Sequence, residues 1–453
     1  MVQEARIRHL IGVPPRDGAY VLYWMQQAQR TEYNHALAFA VQVADELALP
    51  IVVGFVLIPD FPQANLRHYQ FMLEGIADVQ ASLEKIDVPF IIVSGEMVAS
   101  VVRLSEKAAW VVTDVGYLKI QRKWREQVGE SLACPFTAVE TDVIVPVSAA
   151  SAKEETAART LRPKILKLKD KFLESISPPH GRGRPNALPE GVEELVDPLS
   201  LLSKIPVETS VSAVSAFKGG QQAAKIRLSR FVDESLEDYE ESARNPVVPC
   251  QSDMSPYLHF GQISPAAVYK EVSASDAPDA AKWAFLEQLL VRRELSVNFV
   301  YYNSGYDRYE TAVPRWARES LQAHRPDPRP YHYSRDQFEQ AATHDPYWNA
   351  AQTEMVVTGK MHNYMRMYWG KKIIEWTEDP VEAFDLMLSL NNKYELDGRD
   401  PNSFTGVSWC FGRHDRGWQE RQIFGKVRYM NARGLERKFR IARYVERVNV
   451  LTK

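Results

Sequence analysis

The chain has 453 residues, 45% hydrophobic and 25% charged, with a formal net charge of -3. At roughly 150 residues per domain the length predicts two to three domains, and this composition excludes a disordered or fibrous chain. The charge excludes a uniformly basic nucleic-acid binder but leaves room for a local basic surface. Three scattered cysteines (Cys134, Cys250, Cys410) exclude a disulfide framework or a zinc cluster. No apolar run reaches the roughly 18 residues of a membrane span, and the N-terminus lacks a signal-peptide core. A cytoplasmic protein without membrane contact is therefore expected. Of ten tryptophans, six (Trp316, Trp348, Trp369, Trp376, Trp409, Trp418) lie in the last third.

In chain order, apolar runs at Tyr20–Trp24, Ile51–Ile58, Pro89–Val93, Trp110–Thr113 and Phe136–Glu140 read as strands. Amphipathic stretches such as Glu32–Leu49 and Leu66–Ile86 read as helices between them. This β-α-β rhythm predicts a Rossmann-like α/β domain with a parallel sheet over residues 1–145. The first strand runs into MQQAQR at 25–30, which holds no glycine fingerprint, and no phosphate-binding loop occurs anywhere. A ligand could still sit at the carboxyl ends of the strands. Residues 146–220, with PPHGRGRP at 178–185, read as a linker. Residues 221–453 read as a larger all-helical domain, with helices over Asp279–Asn298, Gln352–Trp376 and Val381–Asn391.

Three features of the helical part carry chemistry. Arg366, Trp369 and Trp376 share one face of the helix Gln352–Trp376. A tryptophan stripe is ordinarily core, but a buried guanidinium needs a carboxylate, which Asp397 or Asp400 can supply. Glu287 and Glu294 lie about 10.5 Å apart along a helix, too far for the roughly 5–9.5 Å pair of a glycosidase. Adjacent Arg292 and Arg293 suggest an ion-pair network for Glu294, whereas Glu287 lies in a more apolar run. From Thr405 to Lys453, twelve Lys/Arg face four Asp/Glu, interleaved with Trp409, Phe411, Trp418, Phe424 and Tyr429. That pattern suits either a solvated helix or a surface for phosphates and exposed bases. No HExxH or CxxC is present, so no metal is expected.

The segment SPYLHFGQIS at 255–264 resembles the flavin-cradling segment of DNA photolyases and cryptochromes. VRRELS at 291–296, KMHNYMRMYW at 360–369, YELDGRDP at 394–401 and FGKVRYM at 424–430 resemble the class II cyclobutane pyrimidine dimer photolyases in particular. The resemblance covers nearly the whole chain. It implies an antenna domain followed by a helical FAD-binding domain, and light-driven electron transfer from reduced FAD to a dimer flipped out of UV-damaged DNA. The alternative it leaves is a cryptochrome-like photoreceptor without repair; the chain stops 23 residues after Met430, where signalling members often extend.

The resemblance further implies roles residue by residue. Tyr239, Ser252, Asp253, Met254, Ser255 and Asn363 fall in the FAD-binding motifs, and Arg366 with Asp397 would form an ion pair over the ring. Asn391 would face the reactive flavin nitrogen, with Asn402 a second candidate. Glu287 would bond the dimer carbonyls, while Met367 and Trp409 would pack on the flipped bases. Arg428, Trp418 and Arg416 would hold the opened DNA. Trp369 and Trp348 would relay electrons, with Tyr333 as an outer station and Trp376 structural or a side branch. An antenna chromophore, 8-hydroxy-5-deazaflavin or folate, is left undecided, and a monomer is expected. Three positions depart from the pattern. Asp253 brings a carboxylate near the expected phosphates and Asn363 replaces a glycine. The run Trp409–Asp415 is one residue shorter than in eukaryotic members and closer to a bacterial branch.

Overall fold

The computed structural model describes residues 2–190 and 197–452. Six strands form one sheet: β1 (Ile7–Ile11), β2 (Tyr20–Met25), β3 (Ile51–Leu57), β4 (Phe90–Ser94), β5 (Ala108–Asp114) and β6 (Phe136–Val139). Their order is β1-β6-β5-β2-β3-β4. All pairings are parallel except β1 with β6, which is antiparallel. β2 and β3 are buried along their whole length, as strands covered on both faces require. Helices α1 (His35–Glu46) and α2 (Leu66–Glu84) pack on the face bearing Val21, Tyr23 and Val53. Helices α3 (Met97–Ser105) and α4 (Lys119–Ser131) cover the opposite face, with Leu22, Trp24 and Val111. The five expected strands are all present; β1 is additional. Its short sequence IRHLI is half-exposed at a sheet edge, so it lacks the apolar run that marks the others.

The loop after β2 is held by a carboxylate rather than by glycines. Asp114, at the end of β5, accepts the backbone N–H groups of Gln26 (2.9 Å), Gln27 (2.6 Å) and Ala28 (3.2 Å), and the Tyr23 hydroxyl at 2.8 Å. The donors that a dinucleotide fold offers to a pyrophosphate are thus satisfied within the protein.

The stretch 146–220, read as a linker, contains a 15-residue helix, Ala158–Phe172. Its apolar positions Leu161, Ile165 and Phe172 join a core with Leu286, Leu289 and Leu290. The helical part also differs from expectation at two points. The run from Asp279 to Tyr302 is interrupted by a π-helical segment at Glu287–Arg292; such insertions shift the phase of side chains and recur at functional sites. The predicted single helix Gln352–Trp376 is two, Pro346–Thr358 and Asn363–Trp376. Gly359 between them has φ +75°, and a Cβ there would lie 2.9 Å from Leu396 Cγ. Only glycine meets both demands at low cost. The break turns Lys360-Met361-His362 across the segment Glu395–Asp397, tied by Leu396 N–H to Gly359 C=O at 2.7 Å.

Side chains from the sheet region lock into the helical part. Arg67 of α2 donates to the carbonyls of Tyr394 (2.7 Å), Val356 (2.9 Å) and Ser212 (3.1 Å). Arg30 pairs with Asp142 at 2.6 Å and donates to Gly261 C=O at 2.8 Å. Glu294 reaches back to the Ile144 N–H at 2.6 Å.

Candidate active site

A buried charge cluster forms where the broken helix crosses the segment after the helix Pro380–Tyr394. Arg366 Nη2 lies 3.0 Å from Glu395 Oε2 and 3.5 Å from Asp397 Oδ1. Asp397 is therefore a partner of Arg366. Asp400, the other candidate, instead bonds His259 Nδ1 at 3.1 Å and caps the helix Pro401–Cys410. Glu395 was not foreseen. Its backbone is extended, with φ -75° and ψ 133°, and side chains two apart in extended chain share a side; that spacing within YELD was the available signal. Burial, opposed by Arg366 and reinforced by Asp397, pushes the Glu395 carboxyl up to about 8. Burial would raise Asp397 too, but Arg366 and Lys360 overcome it and hold that carboxyl below its ordinary range. Arg366 Nε and Glu395 Oε1 are buried without a hydrogen-bond partner among the described residues.

Next to this cluster stands the motif beginning at Ser252. Ser252 Oγ accepts the Met254 N–H at 3.4 Å, and Lys360 Nζ lies 3.3 Å from Ser255 Oγ. Asp253 adopts φ +55°, which an aspartate tolerates better than most residues. Its carboxylate pairs with Lys360 at 3.2 Å and with Arg227 at 3.1 Å. The departure from the family pattern is thus neutralised by two cations. Asn363 is exposed at the first position of its helix. Met254 is buried in the apolar core. Tyr239 lies edge-on to Phe231 (5.6 Å) and Phe285 (5.4 Å), with burial pushing its phenol up to about 12. Asn391 is buried beside Asn392, 3.3 Å from its side-chain oxygen, whereas Asn402 donates to Asp400 at 2.8 Å.

Trp369, Trp348 and Trp376 form a contiguous row of rings, the first pair stacked and the second edge-on. Trp348 and Trp369 lie 6.4 Å apart and nearly parallel at 9°. Trp348 Nε1 donates to the Trp369 carbonyl at 3.0 Å, and Trp369 Nε1 donates to Gln352 Oε1 at 2.9 Å. Trp376 sits 5.9 Å from Trp348, and Tyr333 sits 5.3 Å from Trp376. Trp376 therefore lies between Trp348 and Tyr333 instead of off to one side.

The expectation for the two glutamates is reversed. Glu294 is buried and bonds backbone N–H groups, not arginines, and burial pushes it up to about 8. The ion-pair network belongs to Glu287. Arg162 grips its carboxylate through two hydrogen bonds of 3.0 and 2.6 Å, and Arg292 stands 3.5 Å away. Arg162 escaped notice because its helix contains Pro163, a residue that normally ends a helical reading. The Arg292 guanidinium also lies 5.5 Å from the Trp409 ring centroid, and Met367 Sδ is 4.0 Å from Cys410 Sγ. Further along, Trp418 is 40% exposed, with Arg428 and Arg416 at 5.0 and 5.3 Å from its ring centroid.

A separate cavity of about 130 Å³ opens at the carboxyl ends of β2 and β3, beside the point where strand order reverses around β2. Gln27, Phe55 and Trp124 line it from one side; Phe260, Arg293 and Arg399 close it from the other. Among the described residues no three His, Cys, Asp or Glu gather as a metal site, and no helix is long and apolar enough to cross a membrane.

The α/β sheet domain is joined through the buried Arg30 and Arg67 to a helical unit, an arrangement shared with photolyase and cryptochrome structures. The chain matches the structure of a class III photolyase from Agrobacterium tumefaciens with a TM-score of 0.75 at 20% identity, covering 97% of this chain and 88% of that one. A cryptochrome from Synechocystis matches with a TM-score of 0.73 at 15% identity, over 94% and 88%. These likenesses show the fold. The DNA photolyase family model matches residues 21–181. A deoxyribodipyrimidine photo-lyase from Methanothermobacter thermautotrophicus is 48% identical over all of this chain and 99% of its own. The chain belongs to the DNA photolyase family.

Proposed function

We propose that the protein is a class II photolyase that binds FAD and reverses cyclobutane pyrimidine dimers in UV-damaged DNA under blue light. The observation that carries this reading is the buried Arg366–Glu395–Asp397 cluster with its unpartnered Nε and Oε1. An unsatisfied buried polar atom costs about 1–3 kcal/mol, so a ring with donors and acceptors on its rim fits there. Arg366, Asp397 and Asn391 would hold that ring, and Ser252, Ser255 and Lys360 would meet the phosphates and sugar. When bound and reduced, FAD supplies on excitation the electron that opens the cyclobutane ring.

The chain's own residues prepare that transfer. At neutral pH Glu395, raised to about 8, keeps its proton, so the cluster holds one guanidinium against one carboxylate and does not oppose an anionic ring. Glu287, ion-paired with Arg162 and Arg292, presents carboxylate oxygens that can accept the ring N–H of a flipped pyrimidine. Met367 and Trp409 supply apolar surface to bases removed from the stack, and Arg416, Trp418 and Arg428 occupy the gap and its phosphates. Trp369, Trp348, Trp376 and Tyr333 form the route for electrons from the surface. The cavity beside β2 suits a light-harvesting chromophore, a deazaflavin or folate. Blue light on the reduced protein with a dimer-containing oligonucleotide should restore the pyrimidines, with no change in the dark. Equal dimer content in both would overturn the repair reading.

A further inference from the structure

Beside Trp418 and Arg428 the chain makes a strained turn at 421–425. Ile423 adopts φ +68°, a left-handed conformation that a β-branched residue holds only under constraint. Two contacts from the helix Arg315–Ala323 and the loop after it supply that constraint. Asp327 Oδ2 accepts the Ile423 N–H at 2.7 Å, and Ser320 Oγ accepts the Lys426 N–H at 2.8 Å. Paired backbone bonds between Arg421 and Gly425, of 2.9 and 2.8 Å, close the turn, and the Trp418 N–H donates to the Lys426 carbonyl at 2.8 Å. The placing of Trp418 therefore follows the turn, as does that of Arg428, 5.0 Å from the Trp418 ring centroid.

His324, which ends that helix, stands behind the turn. Its Nδ1 lies 2.7 Å from the same Asp327 Oδ2, and its Nε2 lies 3.0 Å from Glu420 Oε1. Ionised carboxylates only accept, so both ring nitrogens carry hydrogen and the ring is an imidazolium. The two carboxylates hold that form above the ordinary histidine range. Gly425 lets the turn sit on the ring, since a Cβ there would lie 2.8 Å from His324 Cδ2. The neighbouring cations are committed elsewhere. Arg325 pairs with Asp379 at 3.2 Å, Arg329 donates to the carbonyls of Arg325 and Asp327 at 2.9 and 3.1 Å, and Arg421 lies 5.5 Å from the Tyr429 ring centroid.

We propose that His324 is a positioning residue for DNA: its imidazolium clamps Asp327 to Glu420, fixes the turn at 421–425, and so sets Trp418 and Arg428 for the opened duplex. Loss of its proton leaves one ring hydrogen for two carboxylates and removes a positive charge beside residues that face phosphates. DNA binding is then strongest while His324 is protonated and weakens as pH rises through its titration. The inference rests on the function proposed above, and adds to it a residue that touches neither flavin nor DNA.

Fluorescence anisotropy with a dimer-containing duplex at constant salt, together with hydrogen exchange of segment 418–428 in the full-length protein, tests it. Wild-type affinity should step down as pH rises past the His324 titration. At about pH 6, His324→Gln should bind roughly tenfold more weakly, lack the step, and lose protection at the Ile423 amide. His324→Arg keeps donors for both carboxylates at every pH, and should bind more tightly than His324→Gln without a step. Glu420→Gln removes only the more exposed arm of the clamp, and should move the step to lower pH with the melting temperature unchanged. If His324→Gln keeps the wild-type pH step or the wild-type Ile423 protection, the inference is wrong while DNA binding stands. Lost protection with unchanged affinity would equally remove the positioning role. If the wild type prefers dimer-containing over undamaged DNA at no pH, the proposed function fails and this inference with it.

Discussion

Removing Asp397 should cost little while Glu395 remains, and much once Glu395 is gone. In the folded protein both carboxylates face one guanidinium, at 3.0 Å for Glu395 and 3.5 Å for Asp397. Asp397 carries the negative charge, and Glu395, raised to about 8, holds a proton. Burial raises the Glu395 carboxyl most, and Asp397 adds to it; with Asp397→Asn that second contribution disappears, Arg366 has no other carboxylate, and Glu395 ionises in its place. The single substitution should then destabilise by about 1–2 kcal/mol. Asp397→Asn together with Glu395→Gln strands a buried guanidinium, which costs about 3–5 kcal/mol. Glu395→Gln alone should raise stability by up to about 3 kcal/mol near pH 7, because the unfolded glutamate ionises and the folded one holds its proton. Urea unfolding of flavin-stripped protein, followed by tryptophan fluorescence, gives the four values. If the two single effects add to the double within about 0.5 kcal/mol, the carboxylates do not substitute for each other and the reasoning is refuted.

The same group predicts a pH response. Glu395 binds its proton more tightly folded, at about 8, than at its ordinary 4.5, so stability is lost as pH rises between those values. Glu395→Gln should flatten that fall by up to about 1.4 kcal/mol per pH unit, and an unchanged slope by thermal or urea titration would contradict the assignment. Gly359→Ala, with φ +75° and a methyl 2.9 Å from Leu396 Cγ, should cost about 1–3 kcal/mol in an unfolding assay. Arg428→Ala should weaken DNA binding and lower the salt-dependence slope by about one; an unchanged slope in a fluorescence-anisotropy titration would remove Arg428 from the phosphate contacts. Trp369→Phe should abolish photoreduction of oxidised flavin while chemically reduced protein keeps its repair yield, read by dimer reversal under blue light.

Much of the fold was legible because burial on both faces writes itself as apolar runs: β2 to β6 all follow such runs, whereas β1, a polar edge strand, does not. The break at Gly359 was hidden because Lys360, Met361 and His362 are not helix breakers and the apolar spacing continues across them. What stops the helix is the contact with Leu396, far along the chain. At the site, a buried arginine demanded a carboxylate and the YELD segment held two, but nothing local says that both converge on it. The arginine that grips Glu287 comes from a helix disguised by Pro163. Asp114 was equally silent, since a carboxylate ending a strand reads as a turn residue until the loop it holds is seen in space.

The central claim is that the Arg366–Glu395–Asp397 cluster is a flavin site, and the most direct measurement is FAD binding to flavin-stripped protein, followed by flavin absorbance and fluorescence. Wild type should bind FAD stoichiometrically, and Arg366→Met should weaken binding by about 2 kcal/mol or more, roughly thirtyfold, while Arg428→Ala binds as wild type does. Equal FAD affinity in wild type and Arg366→Met would contradict the account.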